Sequence, residues 1–489
     1  MHRCLCITEV LRVIAYSVDD NDVLFSMSLT CRAFLEPALD ALWYELSDPD
    51  PLIELFPKSK RGAEPKGHLT LIDTPTEEEW ARFEYYARRV RILRYWTPIY
   101  DSPELDDWLG VDWDSVLQYC PEKQLLPRLH TFESDFQLIS DWYYLFIQPP
   151  LRHLTLTYWE LLDPEIPSVE ALHKCAQTLE SLEVHIIGWD VSDPQAISSL
   201  SHVVSQMRAL KIVNVDNLLP QAVAHLAGLH TLRELHFSVE TLDGASTPLP
   251  FPVLERLQVK AHTPNVNALT CILRRLQAPA LRALELEYDP GQDSHSPTAA
   301  YVRSTFGAVE HLVQLHKFSF GVRTRREPVE ASRIDDIASL LTLRSLEHID
   351  LDTLPLVLAP ADIDRIARAW PHATTLLLGN WADGTLQLPD LLPLAKSCPR
   401  LRTLGVPLAI PETFKLGALP EFGTGLPLRE LRTSADGPAF SEDAAVFLAC
   451  TFPCAQLQTW NQDDQDAVQR INKTAREFLQ ATIKRKYVA

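Results

Sequence analysis

Apolar residues recur through most of the chain in a six-residue pattern that places them at the first, fourth and sixth positions, with polar residues in most of the gaps. Ten copies of this pattern begin at Leu151, Leu179, Met207, Leu232, Leu254, Leu281, Leu315, Leu346, Ala373 and Leu401, at intervals of 22 to 34 residues. Weaker copies begin at Val90, Leu129, Leu428 and Leu457. Because residues two positions apart point to the same side of an extended chain, each copy predicts a short β-strand with one buried face. Regular recurrence of such strands indicates a repeat protein.

The segments between these strands carry apolar residues at helical spacing, which predicts a return helix in most repeats. The predicted helices span residues 168–177, 193–207, 219–229, 266–276, 298–315, 333–341, 361–369 and 389–398. Ser168 and Asp193 suit the start of two of them, since their side-chain oxygens can accept hydrogen bonds from free backbone amides. Strands stack about 4.8 Å apart whereas helices need about 10 Å, so we expect the array to curve with its strands on the inside.

The repeated pattern resembles that of the leucine-rich-repeat superfamily over roughly residues 90–460. The predicted fold class is therefore an α/β leucine-rich-repeat solenoid, a horseshoe with a concave parallel sheet. The Asn or Cys that this superfamily often has after the third apolar position is mostly absent here, which predicts irregular turns after the strands.

Residues 7–46 lack the six-residue pattern and instead contain three short apolar stretches at helical spacing, which begin near Ile7, Val23 and Phe34. Three small helices in about 40 residues bury a marginal core, so we expect an apolar face to remain for docking. The alternative interpretation is that these helices are simply an N-terminal cap for the solenoid.

Three motifs in this head resemble those of F-box domains. Residues 7–11 (Ile-Thr-Glu-Val-Leu) are similar to the Leu-Pro-x-Glu opening of the family, with Thr8 in place of proline. Residues 29–34 resemble its Val-Cys-Arg/Lys-x-Phe/Trp core, and Leu42-Trp43 resembles its closing Leu-Trp. The whole chain is similar to the fungal type of F-box protein with irregular leucine-rich repeats.

The resemblance implies that the head docks onto the Skp-type adaptor of a cullin-RING (SCF) ubiquitin ligase. The implied adaptor contacts are Ile7, Glu9, Val10, Leu11, Leu29 and Cys31, while Phe34 and Trp43 are expected to fill the head's own core.

Four segments are predicted: a small all-α F-box-like head at residues 1–46, a linker at 47–75, an irregular leucine-rich-repeat solenoid at 76–462 and a capping helix at 463–489. The linker is rich in Pro, Lys, Asp and Gly. Thr76 and Glu79 are spaced as a capping box at the start of a helix.

The formal charge of −20 disfavours nucleic acid and anionic membrane surfaces as partners. No uncharged apolar stretch reaches the length of about 18 residues that a membrane span needs. Nine scattered cysteines are an odd number without a dense framework, which favours a reducing compartment, the cytoplasm or the nucleus.

Polar residues that alternate with the buried positions of each strand are expected on the concave face, where a solenoid usually binds its partner. The candidates are His185, Lys211, His236, Lys260, Glu285, Glu287, Asp350 and Asp352. A solvated sheet face would have the same composition, so both interpretations stay open. The carboxylates at 101–115 around Trp108 and Trp113 could contact a basic partner, or the tryptophans could pack onto the solenoid.

No motif of a catalytic, cofactor or metal site was found in the sequence. Cys4 and Cys6, like Cys450 and Cys454, lack the second pair that a zinc site needs. Together with this absence, the F-box resemblance implies a non-catalytic substrate receptor, in which the head binds the Skp-type adaptor and cullin scaffold and the repeats bind an unidentified target protein for ubiquitin-dependent degradation. The alternatives are a repeat scaffold without a ligase, and an enzyme with an unrecognised site.

Overall fold

A computed structural model describes residues 7–63, 69–96, 111, 113–119, 124–136, 145–159, 169–187, 194–239, 247–262, 268–289, 297–323, 331–379, 386–411, 414–415, 427–433, 441–459 and 465–488. The chain forms two compact units, Met1–Leu226 and Ala227–Ala489.

The first unit begins with three helices and continues as alternating strands and helices. Its elements are α1 (Thr8–Tyr16), α2 (Asn21–Thr30), α3 (Arg32–Leu42), β1 (Glu45–Leu46), α4 (Asp50–Ile53), β2 (Arg61–Ala63), β3 (Leu69–Leu71), α5 (Glu77–Ala87), β4 (Ile92–Trp96), α6 (Trp113–Tyr119), β5 (Thr131–Phe136), β6 (His153–Trp159), α7 (Val169–Cys175), β7 (Ser181–Ile187), α8 (Pro194–Val204), β8 (Ile212–Val215) and α9 (Pro220–Ala227), which ends at the unit boundary. Its main sheet has the order β1-β4-β5-β6-β7-β8, with every neighbouring pair parallel.

The second unit repeats the same scheme. Its elements are β9 (Glu234–Val239), β10 (Leu249–Pro250), β11 (Arg256–His262), α10 (Ala268–Arg275), β12 (Leu276–Gln277), β13 (Ala283–Asp289), α11 (Ala299–Gly307), β14 (Lys317–Val322), β15 (Ser332–Arg333), β16 (His348–Leu351), β17 (Leu356–Val357), α12 (Pro360–Ala369), β18 (Thr375–Leu378), α13 (Leu392–Ser397), β19 (Thr403–Val406), β20 (Glu430–Thr433), α14 (Glu442–Thr451), β21 (Gln456–Thr459) and α15 (Gln465–Val488). Its main sheet has the order β9-β11-β13-β14-β16-β18-β19-β20-β21, again all parallel.

The six-residue pattern forms the core of both units. In β6, for example, Leu154 and Leu156 point inward and are fully buried, and Leu284 and Leu286 do the same in β13. The first apolar residue of each copy is also buried, just before its strand. The predicted fold class, an α/β leucine-rich-repeat solenoid with a small helical head, is confirmed.

Several return segments differ from the predicted α-helices. Residues 333–341 form short 3₁₀-helices at Ile334–Ile337 and Leu340–Thr342, and the segment at 389–398 is a 3₁₀-helix followed by α13. Such tighter turns span the same length with fewer residues.

Two copies were predicted in the wrong register. The weak copy predicted to begin at Leu457 is displaced, because Leu457 lies in β21 and pairs with Leu431, the fourth position of the preceding copy. The copy assigned to Met207, Leu210 and Ile212 is displaced, because Val213 and Val215 are the buried strand residues and pair with Leu182 and Val184. Apolar residues fit the pattern in both registers here, and the neighbouring strand selects one of them.

The segment predicted as a linker, 47–75, contains folded structure. Its α4 buries Leu52 and Ile53, and β2 pairs antiparallel with β3. The ring of Phe56 stacks on Phe83 at 5.4 Å and meets Trp80 edge-on at 5.0 Å. These contacts place the segment against α5 in the first unit, while the domain boundaries at 46, 75 and 462 stay predictions.

Candidate binding surfaces

The three helices of the head expose an unusual number of apolar side chains. Of the eleven large apolar residues that are exposed among the described residues, seven lie here: Ile7, Val13, Tyr16, Val23, Phe25, Leu29 and Leu35. We call these seven residues the head apolar surface. Exposed apolar groups concentrated in so short a segment indicate a contact site for another protein.

The structure separates the predicted adaptor contacts into three groups. Leu29, which is 69% exposed, Ile7 and Glu9 are accessible. Val10 and Cys31 are half-buried. Leu11 is only 2% exposed, because it lies on the side of α1 that packs against α3. The expected contact role does not fit Leu11, which belongs to the core of the head.

Most residues of the head apolar surface were not predicted as contacts from the sequence. In α2, Leu24 is buried while Val23, Phe25 and Leu29 are exposed, so this helix is apolar on more than its inner side. Apolar residues on the exposed side of a short helix, in addition to those on its buried side, indicate a second contact beyond its own core, and this signal could have identified Phe25.

The head is joined to the first repeat by a buried arginine. Arg89 follows α5, and its guanidinium bonds the carboxylate of Glu36 at 2.6 Å and that of Asp40. Its charge also lies over the Tyr85 ring, 4.5 Å from the centroid. Burial favours loss of the proton, yet the Glu36 hydrogen bond and the Asp40 charge outweigh it and raise the pKa of Arg89. The helix α3 is thereby held against α5.

We use the term open face for the side of each main sheet whose side chains point away from the buried core. In the first unit, one row across this face runs through Arg94, Glu133, Thr155, Glu183 and Asn214 in direct register. Arg94 bonds Glu133 at 3.0 Å. The row therefore has acidic and basic groups that are already partly paired.

His185 follows Glu183 on the open face of the first unit, and its Nε2 lies 3.6 Å from the Glu183 carboxylate. The hydrogen bond to Glu183 raises the pKa of His185, since that carboxylate favours the protonated ring. His185 can thus present a positive charge at mildly acidic pH.

Lys211 does not lie on the open face, contrary to the prediction. It precedes β8, and its Nζ donates to the Glu180 carboxylate at 2.6 Å. Because the repeat is displaced by three residues, Asn214 occupies the position opposite Glu183.

In the second unit, the predicted residues do share the open face. His236 aligns with Gln258 and then Glu285, while Lys260 aligns with Glu287. Both carboxylates have basic neighbours: Lys317 bonds Glu285 at 2.5 Å, and Arg323 lies 3.3 Å from Glu287. The face is a charged surface suited to binding a polar segment of another protein.

Asp350 lies on this face in β16, and Asp352 follows the end of that strand. The Asp350 carboxylate accepts a hydrogen bond from the backbone amide of Asp352 at 3.1 Å. The Oδ1 atom of Asp352 is buried and has no hydrogen-bond partner among the described residues. Burial, reinforced by the charge of Asp350 and opposed by that of Arg432, raises the pKa of Asp352 to about 6. The Asp352 carboxyl therefore keeps its proton to a higher pH than an ordinary aspartate does.

The remaining candidates give few contacts. Trp113 is buried with its ring 5.1 Å from that of Phe146, as expected for a packing role, while residues 101–110 lie outside the described residues. Cys450 and Cys454 are free thiols, and Cys4 and Cys6 lie outside the described residues. No cluster of metal-binding side chains occurs in the described part of the chain. No described helix combines the length and the apolar character needed to cross a membrane.

Comparisons with known proteins yield structural likeness only. No protein-family model matches the sequence, and no curated protein matches it either. An internalin from Listeria monocytogenes is 11% identical with a TM-score of 0.32, covering 83% of this chain and 85% of the internalin. The mouse RP105/MD-1 complex is 15% identical with a TM-score of 0.34, covering 82% of this chain and 68% of that one. Identities and TM-scores this low do not support a functional assignment.

Proposed function

We propose that this chain is a protein-binding repeat protein rather than an enzyme, with the open faces of its sheets as partner surfaces. A parallel sheet with one face buried leaves the other face as a broad platform of alternating side chains. The polar residues His185, Glu285, Glu287 and Asp350 belong to the strands of that platform and suit contacts with polar segments of a target protein.

We further propose that the chain is the substrate-recognition subunit of an SCF-type cullin-RING ubiquitin ligase. The single observation that carries this proposal is the head apolar surface, which lies on the helices that resemble an F-box. Ile7 and Leu29 remain as adaptor contacts, and Phe25 joins them because it is 55% exposed on the same helix as Leu29. The partners are then a Skp-type adaptor, the cullin scaffold that it binds, and a target protein.

In this function the chain positions the target protein and catalyses no reaction itself. Ubiquitin transfer is carried out by other subunits, and the receptor raises the local concentration of its target near them. The bonds of Arg89 to Glu36 and Asp40 suit this role, since they fix the head to the first repeat and limit the freedom of a bound target. A cytoplasmic or nuclear location, proposed from the scattered cysteines, agrees with such a partner set.

The test is a pull-down of the full chain with a purified Skp-type adaptor. Leu29→Asp and Phe25→Asp are expected to weaken adaptor binding at least about tenfold, because a charge enters a desolvated apolar contact. Val313→Asp is the matched control, since Val313 is 59% exposed and lies in the second unit. Leu11→Asp is unsuitable, because it would disrupt the head core itself.

The alternative is a scaffold that binds proteins without a ligase, in which the head is only an N-terminal cap. It is favoured if the wild-type chain does not bind the adaptor, or if Leu29→Asp and Val313→Asp bind equally well. Either result would reject the ligase proposal.

A further inference from the structure

A groove of about 890 Å³ lies between β21 and α15, at the edge of the second unit's sheet. Its size is within the range of ligand-binding clefts, about 300–1,000 Å³. One wall is the last strand, with the side chains of Gln456 and Gln458, and the other is the first half of the helix.

The helical wall is basic. Arg470, Lys473 and Arg476 all line the groove, and their spacing of three residues places them on adjoining positions along one side of the helix. Lys473 and Arg476 are exposed, and neither forms an ion pair with a described carboxylate. The acidic residue in the lining is Asp466. Among the described residues of the lining, basic groups therefore outnumber acidic ones by three to one.

This charge contrasts with the rest of the protein. The α15 sequence contains six basic residues (Arg470, Lys473, Arg476, Lys484, Arg485 and Lys486) and two acidic ones (Asp466 and Glu477), which gives +6 − 2 = +4. The whole chain carries −20. A basic helix in an acidic protein is a specific feature of this segment and not a consequence of overall composition.

The strand wall presents amide groups. Leu457 is buried, so its neighbours Gln456 and Gln458 point to the open face, where they align with Glu430 and Arg432 of β20. Amide side chains can both donate to and accept from a peptide backbone. The groove thus continues the open face of the second unit.

We propose that this groove between β21 and α15 binds an acidic, extended segment of a partner protein. Lys473 and Arg476 would pair with its carboxylates, and Gln456 and Gln458 would bond its backbone. Asn472 already occupies the backbone groups of Leu457, so the segment is held by side chains and does not add to the sheet as a strand. An acidic peptide fits better than nucleic acid, because the amide groups of Gln456 and Gln458 can both donate to and accept from a peptide backbone. The inference deepens the proposed protein-binding role but does not depend on adaptor docking.

The test measures binding of the full chain to a fluorescent peptide of alternating Glu and Ser by fluorescence polarisation. Lys473→Glu with Arg476→Glu is expected to weaken the affinity about tenfold or more, and added salt is expected to weaken it further. The control is Lys396→Glu with Arg400→Glu, which makes the same charge change at two exposed positions elsewhere in the second unit. This control is expected to bind as the wild type does.

Three outcomes would overturn the inference: no peptide binding, equal loss in both double variants, or equally tight binding of a single-stranded oligo-dT of the same charge. Adaptor pull-down with the same variants separates the two proposals. Wild-type protein that binds the adaptor but not the peptide rejects the groove alone. Protein that binds the peptide but not the adaptor rejects the ligase role alone.

Discussion

The side chain of Asn472 satisfies both backbone groups of Leu457 in the last strand of the second unit. The Leu457 amide donates to Oδ1 at 2.9 Å, and Nδ2 donates to the Leu457 carbonyl at 2.9 Å. Among the described strands, β21 pairs with β20 on one side only, so these groups would otherwise face outward along the edge. One helical side chain thus replaces the hydrogen bonds of a missing neighbouring strand.

Asn472→Ala is expected to loosen this edge without unfolding the protein. Loss of the two hydrogen bonds leaves the part-buried backbone groups of Leu457 without partners, which costs about 1–3 kcal/mol of local stability. The measurement is hydrogen exchange of the Leu457 amide, which should become about tenfold faster or more. Gln480→Ala, an exposed position on the same helix, is the control. Unchanged exchange in Asn472→Ala would show that these bonds do not stabilise the strand.

A second prediction concerns the joint between the head and the first repeat. In Glu36→Gln with Asp40→Asn, the Arg89 side chain, only 4% exposed, keeps its charge but loses both anions. A buried charge without its partner costs about 3–5 kcal/mol. We expect a lower denaturant midpoint and faster proteolysis within residues 7–46. Arg12→Met tests the same carboxylate from the solvent side, because Arg12 is exposed and lies 3.7 Å from Asp40. Arg12→Met should change the free energy of unfolding by no more than about 0.5 kcal/mol. An equal loss of stability in Arg12→Met and in the Glu36→Gln, Asp40→Asn double variant would contradict the prediction.

The same joint gives an acid dependence. The hydrogen bond from the Tyr85 hydroxyl, together with that from Arg89, lowers the pKa of Glu36 below its ordinary value of 4.5. A lowered folded-state pKa means that the stabilisation is complete above 4.5 and is lost as the pH falls through the folded value. Acid titration of proteolysis in residues 7–46 should show this loss below pH 4.5 in the wild type and a weaker dependence in Glu36→Gln.

The strands could be predicted because their signal is local. A strand with one buried face requires apolar residues two positions apart, and Leu154 with Leu156 or Leu404 with Val406 meet this requirement in the sequence itself. The pattern failed where it was ambiguous. Around Leu210 the six-residue apolar pattern fits the sequence in two overlapping registers. Only the pairing of Val213 with Leu182 shows which register the strand adopts.

The candidate surfaces depended on contacts between distant residues, which the sequence does not specify. Leu11 and Leu29 are both apolar residues of predicted head helices, yet α3 covers the first and leaves the second exposed. Asn472 looks like an ordinary polar position of a helix, and its role requires knowledge of where β21 ends the sheet. The contacts implied by the F-box resemblance include the accessible Leu29 and Ile7 but also Leu11, which is buried.

Asp352→Asn is expected to stabilise the protein at neutral pH. Its carboxyl has a folded-state pKa of about 6 against an ordinary value of 3.8, so the folded state favours the protonated form. This contribution to stability is fully present below 3.8 and is lost as the pH rises through about 6. Asp352→Asn should therefore raise the free energy of unfolding by about 1–3 kcal/mol at pH 8 and by almost nothing near pH 4. The check is denaturant unfolding at both values, with Asp364→Asn, an exposed partner of Arg368, as the control. An equal gain at both pH values would contradict the assigned cause.

The last prediction concerns the turn after β18, where Gly379 has a φ of +66°. A Cβ at this position would lie 2.6 Å from the backbone nitrogen of Leu356, and backbone cannot move aside as a flexible side chain can. The left-handed conformation alone costs about 1–2 kcal/mol for a residue with a Cβ. Gly379→Ala should therefore lower the free energy of unfolding by at least about 2 kcal/mol, because the close contact with the Leu356 backbone adds to this cost.

Gly307→Ala is the matched control for this change. Gly307 ends α11, and the nearest atom that its Cβ would meet is the Ser339 hydroxyl at 3.9 Å. Alanine favours a helix over glycine by up to about 1 kcal/mol, so this variant should be neutral or slightly more stable. Thermal unfolding of both full-length variants decides the matter. Equal melting temperatures would mean that the turn relaxes, and that the close approach of Gly379 to Leu356 does not constrain the repeat.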